Sequence, residues 1–119
     1  MEQNVKCTIE DIINSLKEKY KSEGEDAIYA DSDWHVYVAD AELLLPSICC
    51  ITAPPDFDEE TDDEIIPEFA VENGMDGSLL PEIFQDVIIS AIEQKEDVTN
   101  EELINALNYY LHNDTFMTF

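Results

Sequence analysis

The sequence predicts an α+β fold: an N-terminal helix, a small antiparallel sheet and a C-terminal antiparallel helix pair. Three observations predict it. Apolar residues recur with a helical period over residues 8–21, alternate between residues 27 and 52, and return to a helical period after residue 80. Pro54-Pro55 stops the alternating stretch. Thr99-Asn100-Glu101-Glu102 has the form of a capping box, in which a hydroxyl and a carboxylate satisfy the free amides of a helix start.

In residues 8–21, Ile9, Ile12, Ile13, Leu16 and Tyr20 share one helical face. Thr8 suits the N-cap, Glu10 and Asp11 the first turn, and Lys17, Lys19 and Lys21 the far end, an arrangement that opposes the helix dipole. Gly24 ends the element. Residues 27–30 read as a strand, 31–33 as a turn, and 34–38 as a strand in which Trp34, Val36 and Val38 alternate with His35 and Tyr37. Residues 42–45 and 48–52 supply one or two more strands, interrupted by Pro46. Residues 67–73 read as a short helical turn closed by Gly74, and Gly77 marks a loop. Residues 80–95 form a helix with Pro81 in its first turn and Ile83, Phe84, Val87, Ile88, Ala91 and Ile92 on one broad face. The helix after Thr99 runs to about His112, with Leu103, Ala106, Leu107, Tyr110 and Leu111 inward.

The chain has 119 residues, 45% of them hydrophobic, with 5 Phe, 5 Tyr and 1 Trp, which is the composition of one globular domain and not of a disordered acidic tail. Its charge is less ordinary. There are 29 acids against 5 lysines and no arginine, a net charge of −24. Between Glu23 and Asp86 the sequence holds 19 acids and no lysine, so most of these carboxylates lack an intramolecular partner. Solubility asks for a net charge of only about 2–8 in a small domain. The excess weakens the fold by self-repulsion and creates a field that attracts cations.

Residues 56–64 concentrate that field, with seven acids in nine positions: Asp56, Asp58, Glu59, Glu60, Asp62, Asp63 and Glu64. Such a run repels itself and reads as a solvated loop, spanning about residues 54–66, after which Ile65 and Ile66 return the chain to the core. A calcium loop beginning at Asp56 needs Gly at its sixth position and Glu at its twelfth, where this chain has Thr61 and Pro67. His35 and His112 have no zinc spacing with Cys7, Cys49 or Cys50. No metal and no cofactor is expected. With three glycines, no phosphate loop and no arginine to stabilise developing negative charge, the chain reads as a binding protein and not an enzyme. The odd cysteine count reads as free thiols in a reducing compartment. The sequence shows neither a basic-apolar leader nor an apolar run near the ~20 residues of a membrane span, so a cytoplasmic location is expected.

The binding surface is expected in the acidic run, from Asp56, Phe57, Asp58, Glu59, Glu60, Asp62, Asp63 and Glu64, with Asp31, Asp33 and Trp34 as the second choice. Phe57 and Trp34 each stand beside acids, and an aromatic anchor ringed by charge is a common form of binding hot spot.

Two stretches carry a resemblance. One is Glu101-Glu102-Leu103-Ile104-Asn105-Ala106-Leu107-Asn108-Tyr109-Tyr110 with the tail Asn113-Asp114-Thr115-Phe116. The other is Pro67-Glu68-Phe69-Ala70-Val71-Glu72-Asn73-Gly74. Together they resemble a family of small acidic bacterial proteins of unknown function, some of which resemble immunity partners of secreted toxins in contact-dependent growth inhibition and polymorphic toxin systems. The resemblance covers roughly the last half of the chain and carries over no functional residues. It implies an immunity protein; the charge of −24 adds the expectation of a basic protein partner, foremost a toxin nuclease domain, and of binding to neither nucleic acid nor membrane. The alternative is a nucleic-acid mimic from a phage or mobile element that blocks a DNA- or RNA-binding enzyme. A structural adaptor is a third.

Overall fold

A computed structural model of the chain describes residues 3–31, 33–40, 42–75 and 77–118. In chain order the elements are β1 Val5–Thr8, α1 Ile9–Glu23, α2 Glu25–Ala30, β2 His35–Val38, β3 Ile48–Thr52, β4 Asp56–Phe57, β5 Glu64–Ile65, α3 Glu68–Glu72, β6 Gly77–Leu79, α4 Pro81–Gln94 and α5 Asn100–Asn113. The α+β class is as the sequence predicts. The expected box at the head of α5 forms between Thr99 and Glu102, and Thr8 caps α1 as expected, in a second box of its own: its hydroxyl accepts from the Asp11 amide while the Asp11 carboxylate accepts from the Thr8 amide.

Four strands form one antiparallel sheet in the order β1-β3-β2-β6. Successive side chains of a strand face opposite ways. Val5, Cys7, Val36, Val38, Cys49, Ile51 and Leu79 therefore share one face, since they pair with one another across the ladders. That face joins the apolar sides of α1, α4 and α5 in the main core, where Ile12, Phe84, Ile88, Leu103 and Leu107 are fully buried. On the opposite face Tyr37 and Cys50 meet Ala70 and Met75, with Ile66 and Phe69 packed against them, so α3 covers the far side of the sheet. The helix side of the sheet is enclosed, whereas the far side is covered only around Tyr37 and Cys50, and Lys6 and Ile48 on that side stay exposed.

Polar ties fix the layers. The Lys17 ammonium donates to the Val98 carbonyl at 3.2 Å and to Asn100 Oδ1 at 3.0 Å, joining α1 to the connection between α4 and α5. The sequence explains Lys17 only by the helix dipole. Asn108 of α5 pairs with both backbone groups of Leu43, accepting from its amide at 2.8 Å and donating to its carbonyl at 2.7 Å. This pairing takes up the backbone of Leu43, while Leu44 and Leu45 bond to Ser47 and Glu10, and residues 42–45 form no strand, contrary to expectation.

Two further expectations fail. Residues 27–30 belong to helix α2 and not to a strand. Gly24, at φ +89°, turns the chain sharply after α1. Ala27 and Ala30 are good helix formers, and the helical turn buries Ile28 where α2 meets α4. The Gln85 amide then donates to the carbonyls of Ile28 and Asp31, capping the end of α2. Gly77 opens strand β6 instead of marking a loop. A side chain at Gly77 would place its Cβ 3.0 Å from the Val38 carbonyl oxygen, so the close pairing of β6 with β2 favours a residue without one.

Tyr37 gives the fold an alkaline limit. Its hydroxyl donates to the Ala53 carbonyl at 2.9 Å. Burial, with the Glu64 carboxylate adding to it, pushes the phenol up to about 12. A phenol whose pKa is higher in the folded chain than its unfolded value of about 10 contributes stability that is complete below that value. The contribution is lost as the pH rises through about 12. The urea midpoint of the wild type is expected to fall more steeply over this window than that of Tyr37→Phe. Equal slopes would remove Tyr37 as the cause.

Candidate partner-binding surface

Pro54-Pro55 ends β3, and the acidic run that follows is a hairpin and not an irregular loop. Asp56 pairs with Ile65 and Phe57 with Glu64. The acids themselves close the turn. Asp58 donates its amide to the Asp63 carbonyl at 2.9 Å, and its carboxylate Oδ1 accepts from the amides of Glu60 at 2.8 Å and Thr61 at 3.2 Å. Short acceptor side chains that hold their own downstream amides nucleate turns. Asp62 takes the left-handed conformation, at φ +60°, and donates to the Asp58 carbonyl at 2.9 Å. Asp tolerates that region better than most side chains. Local hydrogen bonds thus outweigh the mutual repulsion of the carboxylates.

Every residue from 56 to 65 is exposed. Phe57 is 61% exposed and Ile65 50% exposed, each opposite a carboxylate across the ladder. Ile65 therefore does not return to the core as the sequence reading has it; Ile66 alone does, packing on the second cluster. Adjacent residues of a strand face opposite ways, a signal already present in the Ile65-Ile66 pair. Among the described residues, ion pairs join Lys19 to Asp31 at 3.3 Å and Lys95 to Glu102 at 2.7 Å; none reaches the hairpin. Its seven acids are left facing solvent with an aromatic ring among them.

The second-choice surface loses its aromatic anchor. Trp34 is fully buried in the main core, and its indole N–H donates to the Asp31 carbonyl at 2.7 Å. A Trp whose apolar body is enclosed and whose polar edge finds a backbone acceptor is a core residue, and it cannot anchor a partner. Asp31 is half-buried and held by Lys19. Asp33 is exposed. The sequence reading also misses Val71 of α3, which is exposed and follows the hairpin closely in the chain.

A family model described as a domain of unknown function, DUF7716, matches residues 6–119. The chain belongs to that family. No curated protein and no solved structure is significantly similar to the chain. The DUF7716 domain here takes in the hairpin, both sheet faces and all five helices, so the acidic surface is part of the domain and not an appendage to it. Among its described residues no group of three or more His, Cys, Asp or Glu side chains is placed to hold a metal ion, and no helix is long and apolar enough to cross a membrane.

Proposed function

We propose that this chain is a cytoplasmic immunity-type inhibitor that binds and neutralises a basic toxin, foremost a nuclease. The observation that carries the reading is the hairpin: seven acids with no cationic partner among the described residues, set around an exposed Phe57. Enzymes that cut nucleic acid hold phosphates in cationic clefts. An acidic hairpin matches such a cleft in charge, is drawn to it over a long range, and blocks it without performing chemistry. A hairpin already formed in the free chain also loses little conformational entropy on docking.

The test uses two baits, the wild-type chain and a chain carrying Asp58→Asn, Glu59→Gln, Glu60→Gln, Asp62→Asn and Asp63→Asn. Proteins retained at low salt are identified by mass spectrometry and assayed for cleavage of DNA and RNA. The expected result is a basic nuclease held by the wild type, released by salt, and inactive once a stoichiometric amount of the chain is added. Capture of a restriction or repair enzyme instead would favour the nucleic-acid mimic. Equal retention on both baits would remove the hairpin from the interface.

A further inference from the structure

Cys7 of β1 and Cys49 of β3 lie directly opposite each other in the sheet, on the face that packs against the helices. Their sulfurs are 3.8 Å apart. Residues opposed in antiparallel strands have Cα atoms about 4.5–5.5 Å apart, within the ~4.4–6.8 Å that disulfides span. Only the last part of the approach remains, to about 2.05 Å between sulfurs. Strand β1 is at the sheet edge, with a neighbour on one side only, so it can shift to accommodate that closure. Cys50 does not compete. It is next to Cys49 in the strand and so faces the other way, into the second cluster beside Tyr37 and Ala70.

We propose that Cys7 and Cys49 form a reversible cross-strand disulfide under oxidising conditions, with a peroxide as the oxidant, and that the bond staples edge strand β1 to the centre of the sheet. The two sulfurs have different parts. Cys7 is half-buried, within reach of a small oxidant, whereas Cys49 is fully buried. The hydrogen bond between the two sulfurs holds Cys7 below the ordinary thiol range, while the same bond and burial push Cys49 up. The Cys7 thiolate attacks one peroxide oxygen and breaks the O–O bond, giving a Cys7 sulfenic acid and, from hydrogen peroxide, one water. The Cys49 sulfur then attacks the Cys7 sulfur and expels hydroxide, which leaves as a second water with the Cys49 proton. Two thiols are oxidised to one disulfide, and one peroxide is reduced to two waters.

The bond joins residues 42 apart in sequence, and a loop of that length removes much of the freedom of the unfolded chain. The staple is independent of any partner at the hairpin.

The experiment treats the reduced full-length chain and its Cys7→Ser, Cys49→Ser and Cys50→Ser variants with hydrogen peroxide. Remaining thiols are alkylated, and non-reducing peptide maps are read by mass spectrometry. The wild type and Cys50→Ser are expected to lose two hydrogens, yield a Cys7–Cys49 linked peptide, and unfold at a temperature raised by about 10 °C, reversed by dithiothreitol. Cys7→Ser and Cys49→Ser are expected to form no internal link. Should Cys49→Ser fail to fold, Cys7→Ser carries the comparison. A linkage through Cys50, oxidation that stops at Cys7 without joining Cys49, or a disulfide with no thermal shift each overturns the proposal.

Discussion

Trp34→Ala is expected to lower the free energy of unfolding by about 3–5 kcal/mol, as for other large aromatics cut from a core. The indole is the largest fully buried side chain of the molecule. Its loss leaves a cavity between β2 and the helices. It also withdraws one of the donors that hold the Asp31 carbonyl, the Gln85 amide remaining at 3.0 Å. Because that carbonyl keeps a partner, Trp34→Phe should cost less than the alanine change. A domain of ordinary stability has only about 5–15 kcal/mol in total, so a large share of it goes with this one side chain. Phe57→Ala, at a ring that is mostly in solvent, is expected to stay within about 0.5 kcal/mol of the wild type. Urea denaturation followed by circular dichroism compares them. A Trp34→Ala protein as stable as the wild type would take the indole out of the core.

Neutralising the hairpin should have the opposite profile: little change in stability, large change in binding. The five substitutions at residues 58, 59, 60, 62 and 63 keep the fold, because Asn at 58 retains an Oδ1 acceptor for the amides of Glu60 and Thr61, and Asn at 62 tolerates the left-handed conformation. Relief of repulsion is expected to leave the urea midpoint equal or higher. Affinity for the basic partner is expected to fall at least tenfold, about 1.4 kcal/mol. The wild-type association rate should drop steeply between low and physiological salt, since charges beyond about 8–10 Å are then screened. In the variant the same salt change should matter little. Stopped-flow association and equilibrium titration separate the two effects. An affinity untouched by the substitutions would move the interface off the hairpin, to the sheet or the α4–α5 pair.

What the sequence discloses depends on how local the cause is. Helices α1 and α5 are legible because Thr8 with Asp11 and Thr99 with Glu102 satisfy their own amides within one turn. The short α3 and the start of α4 at Pro81 are local in the same sense. Strands β1 and β6 are not legible. Four and three residues long, they exist because distant partners, β3 and β2, offer unpaired backbone groups. Helix α2 is missed because its short apolar stretch fits either period, and what decides is Ile28 packing where α2 meets α4 and Gln85 capping its end. In the candidate site, the exposure of the acids follows from charge alone. The fate of the two aromatics does not, for Trp34 and Phe57 both stand next to acids in the chain, and only the tertiary fold encloses one and presents the other.

The turn of the hairpin divides its acids into two kinds. Asp58 and Asp62 shape the backbone, one through its side-chain oxygen and the other through its left-handed twist. The carboxylates of Glu59, Glu60 and Asp63 take no part in the bonds that close the turn. Substitutions at these three positions can redraw the pattern of charge offered to a partner while the frame that carries it stays as it is. A lineage whose partner keeps changing could follow it by altering those side chains alone, with no need to refold the domain.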